Sequence, residues 1–163
     1  SHFQSMRAYL DIETSFERRI TIIGIFREEE NRVIQLLGKS ISLLNLKKSL
    51  KGISTLYTYN GKRFDIPVIE RELSCDMSDM IEHEDLMRAC WANNLYGGLK
   101  EVEKKLGIKR DSAGVDGYYA MVLWKNFIDF NNKDSLETLL KYNREDIVNL
   151  SHLRKILNRS DLK

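Results

Sequence analysis

Arg19-Ile20-Thr21-Ile22-Ile23-Gly24-Ile25-Phe26-Arg27 is the most β-branched run in the chain. Branching at Cβ favours the extended backbone, so this run reads as a strand. Upstream of it, Arg7-Ala8-Tyr9-Leu10-Asp11-Ile12-Glu13 alternates apolar and polar residues with the two-residue period of a second strand. Downstream, Glu28-Glu29-Glu30-Asn31 is a polar turn, and Arg32-Val33-Ile34-Gln35-Leu36-Leu37 runs back as a third strand. Short links between consecutive strands make this opening an antiparallel meander.

Beyond residue 37 the period changes. Leu43, Leu44, Leu46 and Leu50 among lysines predict an amphipathic helix over 43–51, stopped by Gly52. Residues 54–59 return to strand and meet an Asn60-Gly61 turn. Helix is expected over 66–73, a short strand over 82–86, and further helices over 98–106, 115–129 and 135–157. Strands alternating with helices after a meander predict an α/β fold, a mixed sheet with helices on its faces. No Pro/Gly/Ser linker, repeat or low-complexity tract divides the chain, so residues 6–163 read as a single domain. Ser1 to Ser5 resemble the remnant of an expression vector, with Met6 as the expected native start.

The 163 residues suffice to bury one core, and 42% of them are apolar, too many for a disordered chain. Lys+Arg at 26 and Asp+Glu at 24 leave a net charge of only +2. Any polyanionic partner must therefore be met by local clusters and bound cations, since there is no global basic field. Cys75 and Cys90 read as reduced packing residues of a cytoplasmic protein. With His2, His83 and His152 they form no zinc-ligand spacing. The longest apolar stretches, such as residues 118–124, are far too short to span a membrane.

Three acidic motifs stand in order along the chain: Asp11-Ile12-Glu13-Thr14, then Asn60-Gly61-Lys62-Arg63-Phe64-Asp65-Ile66-Pro67, then Tyr142-Asn143-Arg144-Glu145-Asp146. On a strand, residues two apart share a face, so Asp11 and Glu13 project together while Leu10 and Ile12 face the other layer. Two carboxylates about 4 Å apart repel by roughly 1 kcal/mol in water and on the order of 4 kcal/mol at an effective dielectric of 20. A divalent cation turns that cost into a binding site, and all-oxygen ligands suit Mg²⁺ or Mn²⁺. The alternative is an edge strand with both acids in water. Asp65 precedes Ile66-Pro67, where Asp is a favoured helix N-cap and Pro suits the first turn, so capping is its competing role. Tyr142 and Asp146, four apart in a helical segment, share one face. An ordinary surface Asp beside a core Tyr would look the same.

Taken together, the motifs resemble those of the 3′–5′ exonucleases with four invariant acids (DEDD type), in the tyrosine variant, related to the proofreading domains of family B DNA polymerases. Leu99-Lys100-Glu101-Val102-Glu103-Lys104-Lys105-Leu106-Gly107-Ile108 is similar to a prokaryotic branch of that group, and the likeness spans roughly residues 7–157. The resemblance implies a ribonuclease H-like fold with a five-stranded mixed sheet flanked by helices. It implies two divalent cations, Mg²⁺ or Mn²⁺, held by Asp11, Glu13, Asp65 and Asp146. Asp11 would bridge the ions, Glu13 and Asp146 would complete the site of the attacking water, and Asp65 would serve the second ion. Tyr142 would aim the water, since a phenol with a reference pKa near 10 does not deprotonate it at neutral pH. The implied substrate is single-stranded DNA or RNA with a 3′ end, and two ions about 4 Å apart suit in-line phosphodiester hydrolysis. The alternatives are a catalytically inactive nucleic-acid-binding or scaffolding module of the same fold, and a structure-specific endonuclease.

Weaker signals surround these motifs. Asn60, Lys62 and Arg63 are candidate substrate contacts beside Asp65, with plain loop solvation as the alternative. Asp85 ends a predicted strand and either supports the metal ligands or caps the next helix. His83 is expected in solvent. Gly97-Gly98 reads as a turn, Tyr96, Trp91 and Asn93-Asn94 as a loop where a base could stack, and Lys104, Lys105, Lys109 and Arg110 as a solvated face.

Overall fold

Alternate residues of the first strand, β1 (Arg7–Thr14), enter different layers of the molecule. Ala8, Leu10 and Ile12 belong to one apolar cluster and Tyr9 to another, so Asp11 and Glu13 follow Tyr9 on the second face. A computed structural model describes residues 5–159 apart from Ala113. Residues 1–4, most of the expected vector remnant and with it His2, lie outside the described residues.

The meander forms as expected: β2 (Ile20–Arg27) pairs antiparallel with β1, and β3 (Arg32–Leu37) antiparallel with β2. β2 is buried along its whole length, which its unbroken apolar run requires. β4 (Thr55–Thr58) pairs parallel with β1, and β5 (Glu82–Asp85) parallel with β4, giving the order β3-β2-β1-β4-β5. This is the five-stranded mixed sheet expected from the sequence.

Helices cover both faces. Leu46 of α1 (Leu43–Ser49) and Val68 and Ile69 of α2 (Asp65–Leu73) pack on the Leu10 side. The Tyr9 side is covered by α3 (Leu86–Ala92), α4 (Leu99–Leu106) and α6 (Lys133–Leu157), through Leu86, Cys90, Val102, Ile147, Leu150 and Leu153. A third cluster joins Ile22 to Ala120 and Leu123 of α5 (Gly117–Phe130) and to Leu139 and Tyr142 of α6. α3 has no counterpart in the sequence reading. Its seven residues make barely two turns, too few for a helical period to emerge. Trp91 therefore stands on a helix, not in a loop. Among the described residues both cysteines are free, and no helix is long and apolar enough to cross a membrane.

Candidate active site

The site forms where β1 outlasts its parallel neighbour. β4 pairs with β1 only as far as Tyr9, so Asp11 and Glu13 project beyond its end. There the Ile12 N–H, lacking a strand partner, donates to Asp65 Oδ2 at 2.9 Å. Asp65 is thus the first residue of α2 but not its cap. Phe64 holds the cap position without a side-chain bond, and the carboxylate is spent across the sheet instead. One hydrogen bond ties the second motif to the first.

The third motif arrives on α6. Ligand oxygens of Asp11, Glu13 and Asp146 lie within 4.8 Å of one another, while Asp65, buried beside them, lies outside that trio. Asn143, which the sequence reading passed over, holds the arrangement together. It is fully buried, and its Nδ2 donates to Asp11 O at 3.2 Å and Glu13 Oε2 at 3.2 Å, while its Oδ1 accepts from Gln35 Nε2 at 3.0 Å. Room for it comes from Gly24, opposite Asp11 in the sheet: a Cβ there would sit 2.1 Å from Asn143 Oδ1. A glycine inside a β-branched run was the signal for this close approach.

Burial and mutual repulsion act together on the acids. Asp11 is held well above the usual carboxylate range by burial first and then by the charges of Glu13, Asp146 and Asp65. Burial and the Asp146 charge push Glu13 up to about 8, and burial pushes Asp65 up to about 7 against the hydrogen bond from Ile12. Asp146 is also raised by burial, though Arg110 pulls it down. Carboxylates crowded so that they resist ionisation, on an all-oxygen donor set, are the chemistry a hard divalent cation relieves. Asp11, Glu13 and Asp146 fit such an ion.

Asp11, Tyr59, Lys100, Tyr142 and Asp146 line one cleft of about 330 Å³. Lys100 Nζ donates to the Tyr142 phenol oxygen at 2.6 Å, a contact the sequence did not signal. Burial, then the charges of Asp146, Glu13 and Asp11, keep that phenol protonated well above its ordinary range. Arg110 overturns the expectation of a solvated face. Its side chain is 9% exposed and bonded to Glu103, with Nη2 2.7 Å from Asp146 Oδ1. Lys104, Lys105 and Lys109 are exposed, as expected.

Asp85 caps α3 through Met87 N at 3.0 Å, and its carboxylate also accepts from Asn60 N at 2.8 Å and Lys62 N at 3.2 Å. It therefore sets the turn that leads into Asp65. Asn60 adopts a left-handed φ of 61° and Gly61 packs against Thr58, while the side chains of Lys62 and Arg63 are exposed on the turn. His83 is half-buried, not solvated: its Nε2 and Thr58 Oγ1 share a hydrogen bond of 2.7 Å, and burial lowers its pKa.

Comparison with known proteins places this geometry in a wider group. A family model described as the RNase H superfamily matches residues 8–158. The uncharacterized protein YprB of Bacillus subtilis (strain 168) is 32% identical over 162 residues, covering 86% of this chain. The chain spans 39% of the length of that relative. Among solved structures, the family B DNA polymerase from the hyperthermophilic archaeon Pyrobaculum calidifontis matches with a TM-score of 0.69 at 14% identity. That match covers 88% of this chain and 23% of the polymerase chain, and it shows a shared fold.

Proposed function

The chain belongs to the RNase H superfamily, and from that membership we propose that it is a divalent-metal-dependent nuclease removing nucleotides from the 3′ ends of single-stranded DNA or RNA. Residues 6–163 act in this reading as a single exonuclease-like domain. The observation that carries it is the convergence of Asp11, Glu13 and Asp146 to within 4.8 Å, where Asp11 and Asp146 line one cleft with Tyr142. Asp65, tied to the same strand, would serve a second ion.

Mg²⁺ or Mn²⁺, when bound, would supply Lewis acidity and lower the pKa of a water. The chain's own groups do the rest. Asn143 holds the first-motif acids in place, and Asp85 fixes the turn before Asp65. The Tyr142 oxygen accepts from Lys100, so its own proton is free to be donated to a water or a phosphate oxygen. A phenol kept neutral orients a nucleophile and does not act as its base. Lys62, Arg63 and Asn60 stand on the turn beside Asp65, where they could position the nucleic-acid backbone. Retention of all four acids and the tyrosine favours a working enzyme over an inactive module of the same fold.

End-labelled single-stranded DNA and RNA incubated with the protein, in Mn²⁺ or in chelator, test the reading. A metal-dependent ladder shortening from the 3′ end is expected, and Asp11→Ala should abolish it. Interior cuts in a branched substrate would make it an endonuclease, and full activity in Asp11→Ala would remove the site assignment.

A further inference from the structure

Arg110 leaves the irregular connector between α4 and α5 and turns inward, where its side chain and that of Glu103 are 9% and 3% exposed. Its Nε donates to Glu103 Oε1 at 3.0 Å and its Nη2 to Glu103 Oε2 at 2.8 Å. The same Nη2 reaches Asp146 Oδ1 at 2.7 Å, and the guanidinium carbon lies 5.6 Å from the centre of the Tyr142 ring. Glu103 is secured in turn by Asn149 Nδ2 at 2.8 Å, from a position one turn beyond Asp146 on α6. The connector is stapled to the same helix by Glu145, whose carboxylate accepts from Asp111 N at 2.6 Å and Ser112 N at 2.8 Å.

Two effects of such a cation on a metal site have opposite signs. A nearby positive charge repels an incoming ion, but a guanidinium whose fork is anchored on Glu103 and whose Nη2 meets one oxygen of Asp146 restricts that ligand's rotation and leaves its other oxygen for the ion. Here the charge is largely offset, because the guanidinium donates to both oxygens of the Glu103 carboxylate with almost no solvent between them. The geometric effect survives that neutralisation. A guanidinium also keeps its proton at any working pH, so the clamp is permanent.

We infer that Arg110 is a positioning residue that holds Asp146 in its metal-binding orientation, with Glu103 and Asn149 as its buttress; this rests on the metal-nuclease reading above. The arrangement parallels the buried partners that orient metal ligands elsewhere, whose loss lowers metal affinity or activity about 10- to 100-fold.

Two variants test it. Arg110→Lys keeps the charge and loses the fork. The double variant Arg110→Met with Glu103→Gln removes both charges, leaves no unpaired buried carboxylate at 103, and keeps an acceptor for Asn149, so it remains usable if the single variant does not fold. Mn²⁺ binding is measured by calorimetry without nucleic acid, beside kcat and KM on a single-stranded oligonucleotide. The expected result is Mn²⁺ affinity about 10- to 100-fold weaker in each variant, with kcat reduced by a similar factor and KM little changed. Mn²⁺ affinity equal to or tighter than wild type in either folded variant overturns the inference, since both variants lose the fork that is inferred to hold Asp146. A wild-type protein that binds Mn²⁺ but cleaves nothing sinks the nuclease reading, while the change in Mn²⁺ affinity still decides the role of Arg110.

Discussion

Asp11 sits where three other carboxylates crowd it, and both burial and their charges oppose its ionisation. Neutralising it should relieve that crowding. Asp11→Asn is expected to raise the melting temperature of the metal-free protein while reducing cleavage below detection; a markedly lower melting temperature would mean the residue is structural. Tyr142→Phe should cost less, about 10- to 100-fold in kcat, because an orienting group is lost and no ligand is. The phenol is held protonated above its ordinary pKa near 10, so the wild-type pH–rate profile should show no limb from it below that value. Gly24 makes the complementary point about space. With 2.1 Å between a new Cβ and Asn143 Oδ1, Gly24→Ala must displace Asn143 from the acids, and urea unfolding should register a loss of about 1–3 kcal/mol.

Between elements, the hydrogen bond from Ile12 N to Asp65 replaces the strand pairing that β4 stops providing after Tyr57. Its strength can be separated from the charge of Asp65. Asp65→Asn keeps an oxygen acceptor and should fold normally while losing activity. Asp65→Ala leaves a buried N–H unpaired and should lose about 1–3 kcal/mol in chemical denaturation. Equal stability of the two variants would show that the bond does not hold β1 to α2. α6 joins the remaining parts, since one helix carries Leu139, Ile147 and Leu150 into the core, Asn143 beneath the acids, and Tyr142 and Asp146 to the cleft. Its 25 residues thus serve the core and the site at once.

For the whole molecule, the buried acids link stability to pH and to metal. Glu13 and Asp65 have folded-state pKa values raised to about 8 and about 7, above those of an unfolded chain. Below the ordinary carboxylate range both states are protonated and the folded state loses nothing. As pH rises from there towards 8 the unfolded chain releases protons that the folded one retains, so stability falls. The metal-free melting temperature should therefore decrease between pH 5 and 8. Mn²⁺ at pH 8 should reverse the loss, because a ligand that binds only the folded state stabilises it. A melting temperature that rises over that interval in chelator would contradict the raised values.

Local pattern made much of the architecture legible in the sequence. The alternating run at 7–13, the β-branched run at 19–27, the returning run at 32–37 and the helical segment at 135–157 appear in the structure as β1, β2, β3 and α6. These signals depend only on residues a few positions apart. The first and third motifs supplied the acids that converge at the site, although their meeting was visible only through resemblance to a family. Chain folding alone decided that Asn143 would enter the space above Gly24, that Asp65 would bond across the sheet, and that Arg110 would turn inward to Asp146. Each of these is a contact between segments far apart in sequence. Its polar partners are named by no local period, and an arginine among lysines looks solvated until a buried carboxylate comes within 3 Å of it.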